Sequence, residues 1–205
     1  MPASNEAGAE RPGAQHRVRA MMTDEALAEK VQALLDRNEI VDVLHNYARG
    51  MDRHDRELAR SVYHDDAIDV HGSFAFGVED FLDWAFEYHS EQLHHQHYVT
   101  NETIEIDGDT AHAETYYLFV GRYADRETPL TLAGGRYVDR LERREGRWAI
   151  AKRVCTAEWR SVAPSKLPDK GIPAVSPEVV VSHDRDDVSY ARPLAVELAA
   201  LTDAG

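Results

Sequence analysis

The feature that most constrains this chain is a change of hydrophobic period at His97. Before it, apolar residues recur every three or four positions; after it, they alternate along runs rich in Thr, Tyr, Phe and Val. Thr23 or Asp24 can cap a long amphipathic helix carrying Leu27, Val31, Leu34, Leu35, Val41, Leu44 and Ala48, which should stop around Gly50 to Asp52. Asp55 caps a second, shorter helix through Leu58 and Val62, and Phe81, Leu82, Trp84, Ala85 and Tyr88 suggest a third that ends before His94. Beyond His97, Thr103 to Ile106 runs into Asp107-Gly108-Asp109, a hairpin signal. Ala111 to Tyr123 and Thr131 to Arg143 read as long strands, the second interrupted at Gly134-Gly135, where a bulge or sharp bend is expected. Glu145-Gly146 turns the chain into a last strand, Trp148 to Trp159. Helices first and an antiparallel meander afterwards make an α+β fold rather than alternating βαβ units.

The 205 residues suit one domain with tails. Residues 1–23 lack periodicity and read as a disordered lead, 24–160 as the folded unit, and 161–205 as a C-terminal extension. The extension holds four prolines between Ala163 and Pro177 and a weak helical pattern from Leu194 to Leu201. Val175, Val179, Val180 and Val181 favour packing of this arm across a pocket mouth or onto a neighbouring subunit. A formal charge of −14 argues against nucleic acid as a partner, which needs clustered Lys and Arg. No apolar run is long enough to span a bilayer, and residues 1–20 have no apolar centre of the signal-peptide kind. The one cysteine, Cys155, suits a reducing compartment. The expectation is a cytoplasmic protein with a small-molecule substrate and no membrane partner.

Tyr47, Asp52 and His97, with Arg153 far along the chain, are the candidate chemistry. A carboxylate paired with an imidazole fixes its tautomer and makes a general base, while a phenol and a guanidinium can stabilise an oxyanion or a leaving group. Taken singly, Asp52 reads as a helix cap or loop acid and Tyr47 as a core tyrosine. His97 stands in a patch with His89, His94 and His95, but the run lacks the HxxxH spacing and has no Cys or Glu at a familiar ligand distance, so no metal and no cofactor are expected. At strand period Arg153 shares a face with Ala149, Ala151, Cys155, Ala157 and Trp159, so it either enters a cavity or pairs with a buried acid such as Glu114.

Tyr47-x4-Asp52-Arg53, His97-Tyr98-x-Thr100-Asn101, Gly134-Gly135, Glu142-Arg143-Arg144-Glu145-Gly146-x-Trp148 and Lys152-Arg153-x-Cys155 occur in an order and spacing that resembles the SnoaL-like branch of the nuclear transport factor 2-like superfamily. The resemblance covers about Asp24 to Trp159. Its best-matched patterns belong to scytalone dehydratase, bile-acid 7α-dehydratase and hexachlorocyclohexane dehydrochlorinase. It implies a cone-shaped, cystatin-like α+β barrel, a curved antiparallel sheet around the long N-terminal helix, with an apolar pocket at the open end. It also implies that Asp52 orients His97 and that His97 abstracts the proton. Tyr47 matches a tyrosine of the bile-acid enzyme, where the dehydrochlorinase has lysine, and Arg153 matches an active-site arginine of both. Phe81, Trp84, Tyr88, Tyr117, Phe119 and Trp159 are the candidate pocket wall. The implied activity is a cofactor-independent dehydratase-like lyase acting on a polyketide-, steroid- or aromatic-like substrate, in a homo-oligomer with a trimer favoured. A ketosteroid-isomerase- or polyketide-cyclase-like enzyme with a carboxylate base, and a non-catalytic binding module, are the alternatives.

Overall fold

The computed structural model describes residues 23–123, 130–163 and 181–194. Most of the lead, much of the C-terminal arm and all but Leu194 of the helix expected at Leu194 to Leu201 therefore lie outside the described residues. Helix α1 (Asp24–Asp52) starts where Thr23 accepts a hydrogen bond from the Ala26 amide, and Asp55 caps α2 (Arg56–Ser61) by accepting from Leu58. Strands β1 (Tyr63–His71) and β2 (Phe74–Gly77) form a hairpin turned at Gly72. Helix α3 (Val78–Ser90) and strands β3 (Gln92–Asp107), β4 (Thr110–Tyr123), β5 (Leu130–Arg144) and β6 (Arg147–Ala163) follow. The six strands form one curved, unclosed sheet in the order β2-β1-β6-β5-β4-β3. The expected meander is β3 to β6, and all pairings are antiparallel except β1 with β6, which run parallel. The hairpin β1–β2 is an addition to the elements read from the sequence.

Helix α1 packs against β3 and β6 with Ile40, Leu44, Tyr47 and Met51 buried, each apolar side chain contributing about 1.5–3 kcal/mol. Its first turns do not share this burial: Leu27, Val31, Leu34 and Leu35 are exposed. Gly50 lets α2 come back tightly, because a Cβ there would lie 2.6 Å from the Ala59 amide nitrogen. Asp52 thereby ends α1 at a sharp turn beside β3.

The register slips between Gly134 and Gly135, where the bend was expected. Gly135 faces Ala157 and Gly134 faces Trp159, so Glu158 is the extra residue of a β-bulge on β6. A Cβ on Gly135 would sit 1.7 Å from the Thr156 carbonyl oxygen, so only glycine fits there. The extra residue reverses the inward–outward alternation. Arg153 and Cys155 face inward, whereas Trp159 turns outward over Gly134 and is 50% exposed.

Candidate active site

At the end of α1 the Asp52 carboxylate reaches His97 on β3 twice. The ring nitrogen Nδ1 lies 2.7 Å from Oδ1, and the His97 backbone amide donates to Oδ1 and Oδ2 at 3.1 and 3.0 Å. One acid thus holds both the ring and the strand that carries it. In the neutral ring Nδ1–H donates to the carboxylate, which leaves Nε2 with a lone pair. His97 forms part of the wall of a cavity of about 360 Å³ between α3, the inner face of the sheet and the β1–β2 turn. Aromatic side chains supply much of that wall: Tyr47, Phe74, Phe81, Trp84, Tyr88, Tyr117, Phe119 and Tyr137. Such an apolar hollow with a few convergent polar groups has the form of a small-molecule site.

Two further histidines share the cavity. His89 donates from Nδ1 to the Gln92 side-chain oxygen at 3.2 Å, and its ring stands edge to face with His97 at 5.4 Å. Burial, then repulsion from His97, takes its pKa down to about 3, so it stays neutral. His71, at the end of β1, behaves in the opposite way. Burial would lower its pKa, but hydrogen bonds with Asp69 (3.2 Å) and Cys155 prevail and raise it to about 9. Asp69 is itself fully buried and accepts from the Tyr63 hydroxyl at 2.7 Å. The cavity therefore holds three imidazoles: His97, gripped by Asp52, His89, which stays neutral, and His71, which is cationic at neutral pH.

A family model described as a SnoaL-like domain matches residues 32–154, well over half of the chain. The chain belongs to the SnoaL-like domain family. Among solved structures, a hexachlorocyclohexane dehydrochlorinase is 24% identical to this SnoaL-like chain, with a TM-score of 0.63 over 70% of this chain and 99% of that one. A scytalone dehydratase candidate from Novosphingobium aromaticivorans is 16% identical, with a TM-score of 0.60 over 71% and 97%. A protein from Kribbella flavida is 20% identical, with a TM-score of 0.59 over 63% and 95%. These likenesses show the shared SnoaL-like fold. A comparison with curated protein sequences finds no match.

The SnoaL-like cone brings Tyr47, Asp52 and His97 to one end of the sheet, and Trp84, Tyr88, Tyr117 and Phe119 into the cavity wall with them. Two of the expected site residues are placed elsewhere. Trp159 is carried outward by the bulge. Arg153 lies behind the wall, fully buried, with Nε and Nη2 donating to the two oxygens of Asp139 at 2.7 Å each. Its partner is thus Asp139 on β5, while Glu114 pairs with Arg136 instead. The guanidinium stacks over the rings of Tyr47 (4.1 Å) and Tyr137 (4.4 Å), so it supports Tyr47 without reaching the cavity. His71 and His89 went unread in the sequence as site residues. The signal for His71 was Asp69-x-His71, two chemistry-bearing residues at strand period on one face.

A third group of histidines lies just outside the cavity. His54, His95 and His183 each offer a ligand-type atom within 4.8 Å of the other two. They come from the α1–α2 turn, β3 and the C-terminal arm, so no local spacing could announce them.

Proposed function

We propose that the chain is a cofactor-independent dehydratase-like lyase acting on a small, largely apolar substrate, of polyketide-, steroid- or aromatic-like shape. The observation that carries this reading is the Asp52–His97 pair, closed at 2.7 Å on the wall of an aromatic cavity. In this mechanism Asp52 fixes the His97 tautomer, and Nε2 takes a proton from carbon α or vinylogous to a carbonyl. The electron pair passes into an enolate. The C–O bond to the leaving hydroxyl then breaks as His71, cationic and across the same cavity, gives it a proton, and water departs. Proton exchange with solvent returns His97 to its neutral form and His71 to its cationic form. The Tyr47 phenol, held protonated because burial raises its pKa well above 10, is a hydrogen-bond donor for the enolate oxygen. Arg153 is a positioning residue that holds the Tyr47 ring.

Two alternatives have less support. A carboxylate base of the isomerase or cyclase kind needs an acid in the cavity, and among the described residues its wall has none. A passive binding module gives no reason for an acid to grip both the ring and the backbone of one histidine. The reading is tested by turnover of a panel of β-hydroxycarbonyl compounds. On the compound that reacts, His97→Ala and Asp52→Asn should each lower kcat by about 10²- to 10⁴-fold. Full turnover in both variants would remove the dyad from the mechanism.

A further inference from the structure

The histidines beside the site pose a hydrogen-bonding problem that the lyase chemistry leaves unsolved. His95 is buried to 1% exposure and donates from Nε2 to the Met51 carbonyl at 3.1 Å, which leaves Nδ1 a lone pair with no partner among the described residues. His54 Nε2 is likewise buried and has no partner among the described residues. His183 sets a carbonyl against each ring nitrogen, Asp52 O at 3.1 Å from Nδ1 and Leu93 O at 2.9 Å from Nε2. A ring nitrogen that ligates an ion has no N–H, so His183 must turn one nitrogen from its carbonyl to bind one. Burial, followed by repulsion from His89, also keeps His95 unprotonated, with its pKa down to about 3.

The ring centroids are 5.3 Å apart for His54–His95, 5.8 Å for His54–His183 and 5.1 Å for His95–His183. Three imidazoles at about 2.0–2.1 Å from one tetrahedral ion place their centroids about 5 Å apart. The rings already stand at close to that spacing, and imidazole nitrogen is the donor that zinc-class divalent cations favour.

We infer that His54, His95 and His183 form a binding site for a zinc-class divalent cation, which latches the C-terminal arm onto the end of α1 behind the catalytic acid. The arm already lies there. Arg53 faces the Ser182 carbonyl and Asp187, Tyr190 donates to Asp55 at 2.8 Å, and Arg185 pairs with Asp55 and Glu57. An ion joining His183 to His54 and His95 ties three distant segments at one point. Since His183 also touches the Asp52 carbonyl, the latch bears on the seat of the carboxylate. It supplies no step of the elimination, so its test does not read activity.

The experiment uses the full chain, stripped with a chelator and titrated with Co²⁺, whose visible absorption reports tetrahedral nitrogen coordination. One saturable band per chain is expected, and Zn²⁺ should chase it. His54→Gln and His183→Gln should each weaken binding by at least about tenfold, whereas His112→Gln, an exposed histidine on β4, should leave it unchanged. His183→Cys should keep the site and add a thiolate-to-cobalt charge-transfer band, which separates loss of a ligand from loss of the fold. Zn²⁺ should also slow tryptic cleavage after Arg185 in the wild type. The absence of a saturable cobalt band in the wild type, or wild-type binding in both glutamine variants, would overturn the inference.

Discussion

An aspartate as the last residue of α1 faces the negative end of the helix macrodipole, where a carboxylate costs about 0.3–1 kcal/mol. The ring and amide donors of His97 offset that cost, so the position makes sense through its partner and not through the helix. His71 repeats the pairing with Asp69, an acid sealed from water, and gains a second partner in Cys155. Its pKa is raised from 6.5 to about 9, so the stability that its protonated form contributes is complete below about pH 6.5 and is lost as pH rises through about 9. His71→Gln should therefore lower the urea midpoint most on the acid side of neutrality. The gap to the wild type should shrink between about pH 6.5 and 9. A gap that is flat or widens with pH would show that His71 is neutral in the fold and unable to act as the acid.

Elements were legible in the sequence where their inner faces are apolar, and hidden where they carry polar groups. Helices α1 to α3 and strands β4 to β6 show the period that burial demands. Strand β1 does not: its inward positions include Asp69 and His71, so the residues that build the far side of the cavity also erase the alternation that would mark a strand. The Gly134-Gly135 bend was legible, but its consequence for Trp159 was not, since a period-two count runs straight through a bulge that reverses it. Arg153 was legible as an inward cation, and its partner was hidden by the β5–β6 register that sets it beside Asp139. That pair ties the two strands in a dry site. Removing one partner strands a buried charge, so Asp139→Ala should cost about 3–5 kcal/mol in chemical denaturation. A loss under about 1 kcal/mol would mean that water reaches the pair.

At the scale of the whole molecule, apolar surface remains after the cone is built. On the outer face of the sheet Tyr98 is paired across from Leu118, with Tyr116 beside them, and Val154 is exposed on β6. Leu27, Val31, Leu34 and Leu35 add an exposed stripe on the first turns of α1, which explains why a helical period was legible there without a core to receive it. Contiguous exposed apolar side chains of this kind mark association surfaces, closed symmetric assemblies of identical chains are the usual way to cover them, and the family resemblance implies three copies. We propose a homotrimer covered in this way. Its mass by light scattering should be three times the 23.1 kDa of one chain. Leu118→Arg sets a charge in the middle of the outer patch, away from the cavity side of β4. It should shift the mass to that of one chain and leave the far-ultraviolet circular dichroism unchanged. A wild-type monomer at micromolar concentration, or an unaltered trimer in Leu118→Arg, would move the interface off this face. The stripe on α1 would then be the next surface to charge.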